Sequence, residues 1–162
     1  VSRYRKSFGR FSAENVYGVV EPETGEEIVR FWLEERALPP PRAKRRVSQV
    51  VFVVRDEEGN VCGVNTVFKG DLPGSGRTYY FYRTFIGKRQ RGSIRLLAFM
   101  AEETWRFLKG LDDGEPRPSG LAMVMENRKF YGERMKRWIE RHGYTFYGKN
   151  DRGQDVWCRD FC

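Results

Sequence analysis

The chain has 162 residues, 40% apolar and 15% aromatic, with 30 Lys and Arg against 22 Asp and Glu and a net charge of +8. This is enough for one domain with its own core, and it excludes a disordered chain. A spanning helix is excluded as well, because no apolar run approaches the ~20 residues that one needs. Three cysteines, two of them at the very end, do not make a disulfide framework. The expectation is a cytoplasmic protein with a single domain over 1–162 and no membrane partner. The basic excess suits an anionic ligand, nucleic acid or an acidic partner. Arg outnumbers Lys, and the guanidinium fork matches phosphate geometry.

Residues 1–13 are polar and basic and read as a loose arm or a first short strand. Val16–Val20 reads as a strand. Thr24 and Glu27 have the spacing of a capping box, which opens a helix with Ile28, Phe31 and Trp32 on one side. That helix ends before Pro39, Pro40 and Pro41. Arg42, Lys44, Arg45 and Arg46 then form a basic cluster, either a solvated face or a contact to phosphates.

Val50–Val54 and Val61–Phe68 are strand-like runs around the turn residues 56–60, so a hairpin is expected there. A second turn at 71–76 leads to a third strand, Tyr79–Ile86, rich in aromatic and β-branched residues. After it comes a short basic loop, Gly87 to Ser93. A helix follows, with Ile94, Leu97, Ala98, Ala101, Trp105 and Leu108 on one face. A strand, a basic glycine-containing loop and a helix start form an anion site. The first helical N–H groups lack backbone partners, and the helix dipole favours negative charge. A phosphate or pyrophosphate is expected here, with Lys88, Arg89, Arg91 and Arg95 adding full charges.

The segment 109–119 is a connection rich in Gly, Pro and Asp. Leu121–Met125 reads as a strand that Glu126 and Asn127 terminate. Residues 128–142 read as a helix with Tyr131, Met135, Trp138 and Ile139 as its core stripe, stopped by Gly143. Two strands, Tyr144–Tyr147 and Gln154–Phe161, flank the turn 148–153. A meander of three strands rules out a doubly wound parallel sheet. The fold class is therefore α+β, a three-layer arrangement with a mixed, mostly antiparallel central sheet and helices on both faces. The only histidine, His142, sits at a helix C-terminus, where its partial charge is favourable. No cluster of His, Cys and carboxylates suggests a metal.

This element order, with a basic loop after the fourth strand, resembles the GCN5-related N-acetyltransferase (GNAT) superfamily. The family loop, Gln/Arg-x-x-Gly-x-Gly/Ala, is similar to Arg89-Gln90-Arg91-Gly92-Ser93-Ile94, with Ile94 standing where the family has Gly or Ala. Glu126-Asn127, a helix, then Gly143-Tyr144 and a strand resemble its last third. The resemblance implies an acyl-CoA-dependent N-acyltransferase, with acetyl-CoA or another acyl-CoA as co-substrate and an unknown amine as acceptor. It implies that Thr84, Phe85 and Ile86 hold the pantetheine arm through their backbone. The amides of Gln90, Arg91, Gly92, Ser93, Ile94 and Arg95 would cradle the diphosphate. Asn127 would touch the pantetheine, and Phe130 and Arg134 would line the adenine-diphosphate end.

The family's usual tyrosine acid, late in the last helix, falls on Trp138 or Ile139, which cannot donate a proton. Tyr131 is the substitute candidate or a core residue. Glu126 is the candidate base or a plain strand-end carboxylate. Tyr82, with Tyr80, faces either the acceptor or the core. The second reading is a GNAT-like domain without catalysis that binds nucleic acid or a protein through its basic surface.

Overall fold

The computed structural model describes residues 4–126 and 132–162. Eight strands form a mixed sheet in the order β1-β2-β3-β4-β5-β6-β8-β7, with four α-helices. The chain divides into two compact units. The first is Val1–Val67 with Arg83–Thr104, and the second is Phe68–Tyr82 with Trp105–Cys162.

The first unit opens with β1 (Arg5–Phe8) and β2 (Phe11–Asn15), an antiparallel pair. Tyr4 is also tied in, since its carbonyl accepts the Asn15 amide at 2.9 Å, so the basic arm is structured from there on. The strand expected at Val16–Val20 is instead β2, five residues earlier. Ala13 and Asn15 are its buried positions, and its alternation is masked in the sequence because Asn15 is polar. β2 pairs with β3 (Val50–Arg55), and β3 pairs with β4 (Val61–Leu72), both antiparallel.

Helix α1 (Pro22–Glu34) starts two residues before the expected capping threonine. Pro22 occupies the first turn, where its missing N–H costs nothing, and no side chain caps the start. The proline run does not simply end a helix either. Pro40 begins α2 (Pro40–Arg46), which carries the basic cluster, with Arg42, Lys44 and Arg45 exposed. Ile28, Phe31, Trp32 and Ala43 of these helices pack on Val50, Val53 and Val64, with Phe85 at the margin. The opposite face takes α3 (Ile94–Lys109). There the Asn65 amide donates to Thr104 Oγ1 at 2.8 Å, and its carbonyl accepts the Phe52 N–H at 2.8 Å. Val64 and Asn65 are neighbours on β4, so one layer of helices lies on each face.

In the second unit, β5 (Arg77–Ile86) pairs in parallel with β6 (Gly120–Val124). β6 and β7 (Thr145–Lys149) each pair antiparallel with β8 (Asp155–Asp160). Leu72, Tyr79, Ala122, Val156 and Cys158 form the core on one face. On the other, Phe161 lies between Tyr80 and Trp105, and the Arg159 guanidinium sits 3.8 Å over the Trp105 ring. Helix α4 covers Glu133–Arg141 and stops at Gly143, whose φ of +89° suits glycine. The start expected for it, 128–131, lies outside the described residues. The ring centres of Trp138 and His142 are 4.2 Å apart, and His142 Nδ1 is 2.7 Å from the Trp138 carbonyl, a helix-end contact.

Candidate functional site

The basic loop belongs wholly to the first unit. β5 delivers it at Gly87, whose N–H donates to the Cys62 carbonyl at 2.8 Å. The next amide, Lys88, donates to both carboxylate oxygens of Glu35, at 3.3 Å each. Three further amides close turns within the loop. Gln90 donates to Gly87 O at 3.1 Å, Arg91 to Lys88 O at 3.4 Å, and Ser93 to Gln90 O at 3.1 Å. Ser93 then caps α3, its hydroxyl accepting the Leu96 N–H at 3.3 Å.

Of the six amides expected to cradle a diphosphate, those of Gln90, Arg91 and Ser93 are therefore engaged internally. Those of Gly92, Ile94 and Arg95 have no acceptor among the described residues. Gly92 has a φ of +96°, and a side chain there would meet no atom within 4 Å. Lys88, Arg89, Arg91 and Arg95 are exposed around this opening, with the Arg91 guanidinium 5.5 Å from the centre of the Phe85 ring. Uncommitted donors at a 16-residue helix's positive end, ringed by cations, fit an anion of several oxygens. Ile94 is 44% exposed, so its branch points away from the core.

Leading into the loop, the ladder between β5 and β6 ends at Tyr82↔Met123. β5 itself continues to Ile86. Thr84, Phe85 and Ile86 are extended strand beyond the last residue pair of that ladder among the described residues. Phe85 packs edge-on to Phe31, and the Thr84 hydroxyl lies 3.9 Å from Met100 Sδ.

The candidate acid–base residues are less favoured by their positions. Tyr82 is 7% exposed and shares a strand face with Tyr80, which is buried and donates to Asp113 Oδ2 at 3.0 Å. That face is core. Glu126 is exposed just beyond β6, after Met125, whose N–H donates to the Asp155 carbonyl at 2.9 Å. Arg134 is exposed in the first turn of α4. Asn127, Phe130 and Tyr131 lie outside the described residues.

Sequence reasoning passes over Tyr79, the neighbour of Tyr80 on the opposite face. In the second unit it lines an open groove of about 440 Å³ with Thr145, Phe146, Tyr147, Cys158 and Asp160. Its hydroxyl donates to Asp160 Oδ1 at 2.7 Å, and Arg77 Nη2 donates to Oδ2 at 2.9 Å. Burial, and then the bond to Asp160, push the Tyr79 hydroxyl well above its ordinary range. Burial and the same carboxylate push the Cys158 thiol up to about 11. Neither group is poised to exchange protons near neutrality. Among the described residues no cluster of His, Cys, Asp and Glu could hold a metal, and no helix is long and apolar enough to cross a membrane.

No family model matches this sequence, and no curated protein does. Solved structures do resemble it. A GNAT-family acetyltransferase from Streptococcus pneumoniae superposes with a TM-score of 0.61 at 11% identity, over 93% of this chain and 99% of that one. A ribosomal-protein-S5-alanine acetyltransferase from Vibrio fischeri gives 0.59 at 12%, over 96% and 94%. A GNAT-family N-acetyltransferase from Escherichia coli, solved in complex with CoA, gives 0.60 at 13%, over 98% and 86%. At such identities the likeness speaks for architecture alone: this chain has the fold of the GNAT acetyltransferases.

Proposed function

We propose that this chain is an acyl-CoA-dependent N-acyltransferase that moves an acetyl or other acyl group to the amine of an acceptor not yet assigned. The observation that carries this reading is the set of amides at Gly92, Ile94 and Arg95 without an acceptor among the described residues, on a loop that also exposes Lys88, Arg89 and Arg91, in this fold. The neighbour solved with CoA supports the choice of ligand.

Acyl-CoA, when bound, supplies the thioester carbonyl that an amine can attack. The chain's own part is to hold and orient. The three amides and the α3 dipole would carry the pyrophosphate charge, while Arg89, Arg91 and Arg95 add attraction that salt weakens. The edge of Thr84–Ile86 would pair with the amides of the pantetheine arm. Glu126, exposed just beyond β6, is the candidate to take a proton from an incoming ammonium, and Tyr131 is the candidate for returning one to a sulfur. Asn127, Phe130 and Arg134 complete the proposed binding set.

The test is the thermal midpoint of the purified protein against increasing acetyl-CoA. A ligand that binds only the folded state raises the midpoint as its concentration grows. A saturable rise, lost when acetyl-pantetheine, which lacks the diphosphate, is the ligand, supports the reading. No shift at about a millimolar, where any ligand of useful affinity stabilises, overturns it. Salt-sensitive binding to RNA or DNA in the absence of CoA affinity would support instead a non-catalytic role for the basic surface.

A further inference from the structure

Three local costs meet at one place in the first unit. Helix α1 ends in Glu34 with Glu35 as its C-cap and has no basic residue in its last turn, so negative charge sits at the negative end of the helix dipole. The next residue, Arg36, has φ +55°, a left-handed conformation that side chains avoid. Opposite them, a side chain on Gly87 would be crowded, and its neighbours would have to yield by a few tenths of an ångström. A Cβ there would lie 3.1 Å from Glu35 Oε1, 3.2 Å from Phe31 and 3.4 Å from the Cys62 carbonyl. Where several local rules are broken together, function or strain is the usual reason. What they bring about is a contact across 53 residues of sequence, the Glu35 carboxylate accepting the Lys88 N–H through both oxygens.

Resting on the acyl-CoA reading, we propose that Glu35 is a positioning residue of the phosphate loop that also moderates how tightly the loop holds an anion. Its two effects have opposite signs. The carboxylate fixes the first turn of the loop by holding Lys88, with Phe31 and Phe85 packed edge-on beside it at 5.7 Å. This pre-orders the amides that follow and favours binding. Its negative charge lies at the entrance to an anion site and opposes binding. The Lys88 amide, occupied by Glu35, is withdrawn from the ligand, so the anion is received by the later amides at Gly92, Ile94 and Arg95. A purely structural residue would supply the first effect without the second.

Two substitutions separate them. Glu35→Gln keeps an acceptor for the Lys88 amide and removes the charge. Glu35→Ala removes both. Affinity for acetyl-CoA and for inorganic pyrophosphate is measured by calorimetry, and exchange of the Lys88 amide is measured by NMR without ligand. Glu35→Gln is expected to bind both ligands about three- to fivefold more tightly than the parent, the size of one screened charge at several ångströms. Glu35→Ala is expected to bind more weakly than Glu35→Gln, with Lys88 exchange about tenfold faster than in either. Gln binding no tighter than the parent overturns the charge effect, and Ala binding as tightly as Gln overturns the clamp. If the parent binds neither ligand, the acyl-CoA reading fails and the charge effect fails with it. Unchanged Lys88 exchange in Glu35→Ala would then overturn the clamp by itself.

Discussion

The basic loop in the first unit and the Asp160 cluster in the second unit are both rich in charge, and they differ in how much hydrogen-bonding capacity they keep. Around Asp160, both carboxylate oxygens are taken, one by Tyr79 and one by Arg77, and the Arg77 Nε–H goes on to Ser119 Oγ at 3.1 Å. The loop uses some amides to hold its own shape and leaves others open toward solvent beside four exposed cations. A saturated polar cluster specifies structure, whereas donors left over at a helix start are capacity for something else. Charge by itself would not have separated the two regions.

The comparison breaks first where backbone touches backbone. A Cβ on Gly120, at the start of β6, would lie 2.2 Å from the Arg159 carbonyl oxygen and 2.7 Å from Asp160 Cα. Gly120→Ala should destabilise the second unit by about 3 kcal/mol, read as a lowered urea midpoint, because no flexible side chain can yield. Gly92→Val probes the open region. There is space for the side chain, yet φ +96° is wrong for a branched residue, so the cost should be about 1–2 kcal/mol. Its acetyl-CoA affinity should fall about tenfold, since about 1.4 kcal/mol of distortion at the amides is one decade. A Gly92→Val protein that binds as the parent does would remove the loop from the proposed site.

Alkaline pH sharpens the contrast further. The buried thiols of Cys62 and Cys158 are both pushed up to about 11 from an ordinary 9.0, by burial first and by a nearby carboxylate second. The folded chain keeps these protons when the unfolded chain has released them. Stability is therefore whole below about pH 9 and declines as pH rises toward about 11. Cys158→Ala should flatten its share of that slope in unfolding curves recorded from about pH 8 to about pH 11. At about pH 8 a thiol reagent should modify exposed Cys162 quickly and reach Cys62 only on unfolding.

The smallest effect belongs to Glu27 in the first unit, held by Arg55 through two bonds of 2.6 and 3.0 Å. That hydrogen bond lowers the Glu27 pKa. Its contribution is present above the ordinary carboxylate range and is lost as pH falls through the folded value. The pair is partly solvated, so Glu27→Gln should cost about 0.5–1 kcal/mol in urea unfolding at neutral pH, and less at about pH 3.

How far the sequence could be read follows the range of the interactions. The strands around Val50–Val54 and Val61–Phe68 and the helix from Ile94 are legible because their apolar period is local and complete. β2 is not, because buried Asn15 breaks its pattern. The start of α1 differs from the expected one because Pro22 at the first turn outweighs a plausible capping threonine. The strand, basic loop and helix start are legible, since they are contiguous in sequence. Which of the loop's amides are spoken for is not, because that depends on turns closed by Gly87 and Gln90. Glu35 is invisible to any pattern, as its partner lies 53 residues away. Tyr80 and Tyr82 can be placed on one strand face, but the sequence does not say whether that face is packed. The bond from Tyr80 to Asp113 and the burial of both rings decide it.

The left-handed Arg36 also bears on engineering. The hydrogen bonds that close α1 do not need its side chain, since Ala37 N donates to Trp32 O at 2.8 Å and Arg36 N to Leu33 O at 3.1 Å. Glycine would adopt the same backbone with less strain, so the helix end holds roughly 1 kcal/mol of unused stability. A single exposed substitution, Arg36→Gly, is thus a reserve against which destabilising changes elsewhere in the first unit could be tolerated while the loop is redesigned.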